Sequence, residues 1–102
     1  MRKKNPELHY RSSRICRVLG NPTAYEILKS LGKSRKRPSE IAADFRLSLP
    51  TICAALRSLR QLDLVRYETV RDGKLYFIKD DTVLAIIDQI ECLVKRIESG
   101  NY

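Results

Sequence analysis

Four basic side chains crowd one short stretch, Lys33, Arg35, Lys36 and Arg37, and two more, Arg71 and Lys74, flank the pair Asp72-Gly73. Ammonium and guanidinium groups at this density do one kind of chemistry well: they hold phosphate oxygens through charge-assisted hydrogen bonds. Other chemistries are harder to assemble from this chain. His9 is the only histidine, so a histidine base has a single candidate and an imidazole-rich metal site has none. His9 and Glu7 meet no nucleophile, glycine-rich cradle or carboxylate cluster, and a solvated N-terminal histidine is the reading. Asp80-Asp81 is read as a helix cap rather than a magnesium pair. The three cysteines, Cys16, Cys53 and Cys92, are odd in number and widely spaced. They form neither a disulfide framework nor a zinc pattern, and they fit a reducing cytosol. No catalytic constellation can be put together, so an enzyme is not expected, nor is a cofactor.

The charge balance points the same way. The 102 residues carry 20 Lys and Arg against 12 Asp and Glu, a formal charge of +8, with a pI near 9.7. A chain this small and basic is expected to meet a polyanion, nucleic acid first and an anionic membrane second. The charge is polarised. Residues 1–37 hold eleven basic and two acidic side chains, a net of +9, whereas residues 80–102 carry a net of −3. In a protein of ordinary charge such a basic run would read as a solvated loop; here the overall excess turns it toward phosphate. A hydrophobic fraction of 43% and a charged fraction of 31% describe one globular domain with enough chain for a core. No apolar run approaches the roughly 18 residues of a membrane span. The opening Met1-Arg2-Lys3-Lys4-Asn5-Pro6-Glu7 has no apolar stretch behind it and is not read as a secretory signal, so a cytoplasmic location and no membrane partner are expected.

Periodicity supplies the elements that must position these groups. Leu8, Ile15, Cys16, Val18 and Leu19 suit a helix over about 8–19, stopped by Gly20. Asn21 caps a second helix opened by Pro22, with Ala24, Ile27, Leu28 and Leu31 on one stripe and Gly32 at its end. The basic loop then leads into a short helix over about 38–45. Arg46-Leu47-Ser48 connects it to another over about 49–62, with Ser48 as its cap and Ile52, Leu56, Leu59 and Leu62 on its buried face. Two short helices joined in this way are a helix-turn-helix, residues 38–62. Alternation then replaces the helical period. Val65, Tyr67 and Thr69 precede a break at Arg71-Asp72-Gly73, and Leu75-Tyr76-Phe77-Ile78 follows, a hairpin over 64–79 with Tyr67 and Tyr76 paired across it. A helix-turn-helix followed by a basic-tipped hairpin is a winged helix.

A last helix, about 82–98, is capped by Asp80 or Asp81. It carries Val83, Ile87, Ile90, Val94 and Ile97 at coiled-coil-like steps. One small domain has little core left to cover this stripe together with Leu8, Ile15 and Leu19 of the first helix. The inference is a homodimer clasped through helices 8–19 and 82–98, the competing arrangement being a last helix folded back on its own domain.

In order, the segments Leu19-Gly20-Asn21-Pro22-Thr23, Ile27-Leu28-x-x-Leu31, Pro38-Ser39-Glu40-Ile41-Ala42, Leu47-Ser48-x-x-Thr51-Ile52-x-x-x-Leu56-x-x-Leu59 and Leu62-x-x-Val65, closed by the Gly73 hairpin ending in Tyr76-Phe77-Ile78, resemble the ArsR-type winged-helix transcriptional regulators. The resemblance covers residues 15–79 and takes in the terminal helices by pattern. It implies a mainly α winged helix-turn-helix with a β-hairpin wing, dimerising through its N- and C-terminal helices. It further implies double-stranded DNA as partner, helix 49–62 in the major groove, the wing on flanking backbone, and repression relieved by an effector.

Three departures from that pattern matter. The groove-facing positions are Ser48, Pro50, Thr51, Cys53 and Ala54, which offer no Arg, Asn or Gln for bidentate base contacts. Thymine-methyl contact and DNA shape are expected instead, with modest sequence specificity, while Arg57, Lys33, Arg35, Lys36, Arg37, Arg71 and Lys74 hold phosphates. The family's thiolate site is absent from helix 38–45, and the last helix supplies Asp88 and Glu91 without a histidine, so no metal site is expected. Cys16 and Cys92 lie on the two terminal helices, expected to pack together, and some relatives sense oxidants or persulfides through a cysteine pair, which makes these two a candidate redox pair; the competing reading is two small buried core residues. A bare recognition helix also fits a winged-helix module that binds protein rather than DNA, and this is the alternative function.

Overall fold

All four prolines of the chain open helices. The computed structural model describes residues 6–100, and in it Pro6, Pro22, Pro38 and Pro50 each sit in a first helical turn, where the missing N–H costs nothing. The elements run α1 (Pro6–Leu19), α2 (Pro22–Leu31), α3 (Pro38–Phe45), α4 (Leu49–Gln61), β1 (Arg66–Val70), β2 (Gly73–Phe77) and α5 (Thr82–Ser99). Side chains cap most helix starts as expected. Asn21 Oδ1 accepts from the Ala24 N–H at 3.0 Å, and Ser48 Oγ accepts from the Thr51 N–H at 3.3 Å. Of the two candidate caps for α5 it is Asp80 that works, its Oδ1 accepting from the Thr82 N–H at 2.9 Å. That bond holds the Asp80 carboxyl below its ordinary pKa.

The core is built on α2. Ala24, Ile27, Leu28 and Leu31 are buried, and α2 packs against α1, α4 and α5. Ile52, Leu56 and Leu59 of α4, Ile41 and Ala42 of α3, Leu64, Val65, Tyr76 and Ile78 of the wing region, and Val83 and Ile87 of α5 complete the cluster. Between α3 and α4 the chain turns through Arg46 in the left-handed region, φ 56°, ψ 39°. A non-glycine side chain there carries strain of roughly 1–2 kcal/mol, and its N–H answers the free carbonyls of Ala42 and Ala43.

The wing pairs antiparallel from Arg66↔Phe77 to Val70↔Gly73, so Arg71 and Asp72 form the two-residue loop. Gly73 has φ 138°, which side-chain-bearing residues avoid. Tyr67 and Tyr76 face each other with ring centroids 5.3 Å apart. The connection from α2 to α3, expected as an open loop, is a third piece of this sheet. Lys36 N–H donates to the Tyr76 carbonyl at 3.0 Å, and Tyr76 N–H donates back at 2.8 Å.

Helix α5 divides into two parts. Val83 and Ile87, expected on the seam between two copies, lie in the chain's own core at 8% and 3% exposure. The reason is the phase of α5 on α2. Glu91 accepts from the Tyr25 hydroxyl and from Lys29 Nζ, each at 2.8 Å, which fixes one face of the helix against the domain. Beyond it Ile90, Val94 and Ile97 are exposed, together with Ile86 and Leu93. Of the α1 seam residues, Ile15 and Leu19 lean on the core and Leu8 is exposed. The radius of gyration, 15.7 Å, exceeds the roughly 13 Å of a compact domain of this size, in keeping with helices that extend past the core.

The bonds from Lys29 and then Tyr25 hold the Glu91 carboxyl below its ordinary pKa. A carboxyl depressed in the folded state stabilises it above the unfolded pKa of about 4.3 and loses that contribution as pH falls through the folded value. Glu91→Gln should therefore lower stability at neutral pH and leave a shallower decline toward acid. Urea denaturation of both proteins across that range checks this, and parallel curves would refute it.

Candidate nucleic-acid interface

Three buried side chains, Ile52, Leu56 and Leu59, fix which face of α4 points outward. That face presents Pro50, Thr51, Ala54 and Arg57 to solvent, with Cys53 half-buried. Thr51 carries a hydroxyl on this face, yet its Oγ1 lies 2.8 Å from Ser48 Oγ, and Ser48 is also the helix cap. Both hydroxyls thus have local partners. What remains is small and apolar: the Ala54 methyl, the Thr51 methyl and the Pro50 ring. Leu47 and Leu49, at 40% and 47% exposure, widen this apolar front on either side of Ser48. They were not among the expected surface residues, because leucine at the start of a helix ordinarily signals core.

A second missed contribution comes from α1. Arg17, Asn21 and Thr23 at the α1–α2 corner share a cleft of about 390 Å³ with Thr51, Ala54 and Ser58. The basic end of α1 therefore flanks the outward face of α4. The signal was present in the sequence, since Arg11, Arg14 and Arg17 recur every third residue on one helix.

The basic run departs most from expectation. It was read as a free, phosphate-facing loop. In the structure Arg35 Nη1 meets Glu68 Oε1 at 2.9 Å, and its guanidinium lies 4.1 Å from the Phe77 ring centre. Lys36 Nζ donates to Ser30 Oγ at 2.9 Å and reaches Asp44 at 3.5 Å. Arg37 Nη2 donates to Asp72 Oδ1 at 2.7 Å. That bond and the Arg37 charge hold the Asp72 carboxyl below its ordinary pKa. Of the four, only Lys33 has no ion pair among the described residues. The cause is the strap between Lys36 and Tyr76, which brings the wing's carboxylates beside the run. On the wing itself Arg71 sits exposed at the tip, and the Lys74 ammonium lies 4.4 Å from the Tyr67 ring centre. Arg60 of α4 approaches the same ring at 5.6 Å, so one tyrosine joins α4 to the wing.

Cys16 and Cys92 are free thiols and both are exposed, so neither serves as a small core residue within the chain. Cys53 is free and half-buried on α4. Among the described residues no three His, Cys, Asp or Glu side chains gather to hold a metal ion, and no helix is long and apolar enough to cross a membrane.

Comparison with known proteins agrees with this geometry. The family model described as "Bacterial regulatory protein, arsR family" matches residues 21–67, from the cap of α2 into β1. An uncharacterised HTH-type transcriptional regulator of Methanocaldococcus jannaschii is 40% identical over 56 residues, which are 55% of this chain and 59% of that protein. The match thus spans less than two-thirds of that relative. Among solved structures, a homodimeric winged helix-turn-helix DNA-binding domain from Mycobacterium bovis, described as a possible ArsR-family transcriptional regulator, superposes with a TM-score of 0.83 at 20% identity. It covers 94% of this chain and 92% of its own. The transcriptional regulator HlyU from Vibrio vulnificus gives 0.72 at 22% identity, covering 86% and 92%. At these identities the likeness speaks for the fold, and the fold is a winged helix-turn-helix.

The Ser48 cap fixes where the outward face of α4 begins. Ser48→Ala should destabilise the protein by about 1 kcal/mol, read as a lower urea midpoint with an unchanged slope; an unaltered midpoint would show that the cap contributes nothing.

Proposed function

We propose that the chain, whose residues 21–67 match the model of the bacterial arsR family of regulatory proteins, is a transcriptional regulator binding double-stranded DNA as a homodimer. The observation that carries this reading is the composite surface around α4. Its small outward side chains are flanked by Arg17 and Arg57, and the wing tip presents Arg71 and Lys74. In the proposed mode Ser48, Pro50, Thr51, Cys53 and Ala54 enter the major groove. Lys33, Arg57, Arg71 and Lys74 hold phosphates. With no bidentate side chain in those turns, recognition runs through thymine methyls and duplex shape, and specificity is modest. We assign repression as the outcome and the cytoplasm as the location, the latter in keeping with three free thiols.

The homodimer rests on α5. Ile86, Ile90, Leu93, Val94 and Ile97 are all exposed on one helix, an apolar stripe that a single soluble chain does not ordinarily leave to water. A second copy, with Leu8 of α1 at the edge of the interface, covers it by symmetry. The exposed pair Leu47 and Leu49 favours a second reading, a protein-binding use of α4 without specific DNA.

Two outcomes separate these. Arg71→Glu with Lys74→Glu should weaken binding to every duplex alike and flatten the dependence of log K on log salt by about one per lost contact. A wild-type protein that shifts no duplex in dilute buffer would leave the protein-binding reading in its place. Ile90→Asp should convert the dimer to a folded monomer in sedimentation velocity. A wild-type protein that already sediments as a monomer would end the dimer proposal.

A further inference from the structure

Arg37 and Arg35 are the two arginines of the basic run, and each is already held by a carboxylate of the wing. Arg37 Nη2 stands 2.7 Å from Asp72 Oδ1, and Arg35 Nη1 stands 2.9 Å from Glu68 Oε1. A carboxylate presents two anionic oxygens to a guanidinium much as a phosphate does. We propose that Asp72 and Glu68 are built-in phosphate surrogates, which keep Arg37 and Arg35 out of contact with DNA and so limit the grip of the protein on duplex of any sequence. The inference rests on the DNA-binding reading above and adds to it a pair of residues that act against affinity.

Three observations support it. Asp72 is one of the two loop residues at the wing tip and its side chain is 70% exposed, so it lies where a flanking backbone would approach and repels it. Pairs this open to solvent contribute little to stability, which leaves folding a poor reason for two of them side by side. The arginines are also held ready as donors. Arg35 stacks on Phe77 at 4.1 Å, and the Nε of Arg37 is buried with no hydrogen-bond partner among the described residues, so the head of each is oriented by packing. Lys36 is different in kind. Its backbone is paired with Tyr76 and its ammonium bonds to Ser30, which makes it part of the strap.

The test is binding of the full chain to a fluorescein-labelled duplex of random sequence, across a series of salt concentrations. Asp72→Asn and Glu68→Gln should each tighten binding about threefold at low salt and steepen the log K against log salt slope by about 0.9, one freed arginine apiece. Arg37→Gln should leave the wild-type slope unchanged and abolish the gain of Asp72→Asn. Asp81→Asn makes the same charge change at a carboxylate that bridges to no cation among the described residues, and it should leave the slope alone. Thermal melts guard against misfolding, and the two carboxylates lie on different parts of the hairpin, so a poorly folded variant at one leaves the other to decide. The proposal is overturned if both carboxylate variants bind as the wild type does or more weakly. It is equally overturned if Asp81→Asn matches them, or if Arg37→Gln flattens the wild-type slope. A wild-type protein that binds no duplex at low salt removes the DNA-binding reading and this inference together; a binding wild type with unresponsive variants removes only the inference.

Discussion

Ile27, Leu28 and Leu31 are cut off from water because three other helices close over one ten-residue helix. Burying each such side chain is worth about 1.5–3 kcal/mol, and here the same few side chains serve every neighbour at once. The outward face of α4, the basic end of α1 and the departure angle of α5 are therefore set by a common support. A change of packing on α2 is felt at the outward residues of α4 and at the extended helix together, since close-packed interiors transmit displacement rather than absorb it. The link from Tyr25 and Lys29 to Glu91 sharpens this, because it adds polar bonds of fixed geometry to an otherwise apolar contact.

The wing is held from a second side. Lys36 pairs with Tyr76 through both backbone groups, and Tyr67 lies beneath the cations of Arg60 and Lys74. A two-stranded hairpin alone is marginal in water. With a third strand-like segment paired along its edge and an aromatic ring contacted from α4, its orientation to α4 is specified from two sides.

Much of the fold was legible because its signals are local. Proline at first turns, Asn21 and Ser48 as caps, the apolar steps of α2 and α4 and the Asp-Gly pair each act within a few residues. Local reading fails where distance along the chain is large. Arg37 meets Asp72 and Arg35 meets Glu68 only after the wing has folded back, and a tally of charge by segment cannot foresee it. The stripe on α5 shows a different limit. Val83, Ile87, Ile90, Val94 and Ile97 repeat as one series, yet a hydrophobic period reports that a face is covered without naming what covers it. The first two go to the chain's own core and the rest do not. Ile86 and Leu93 belong to the exposed set as well, and with Ile90 and Ile97 they step by four, three and four, a second seven-residue series on the face turned away from the core. The left-handed Arg46 had no local signal at all, since glycine or asparagine is what that conformation ordinarily selects.

The division of α5 also decides how assembly relates to folding. Val83 and Ile87 close the core from within the chain, so in the proposed dimer neither copy supplies these core residues to the other, unlike interlaced pairs whose halves unravel on separation. Partnership is then governed by mass action. For the proposed dimer, the paired form in the dilute regime grows with the square of the amount of polypeptide.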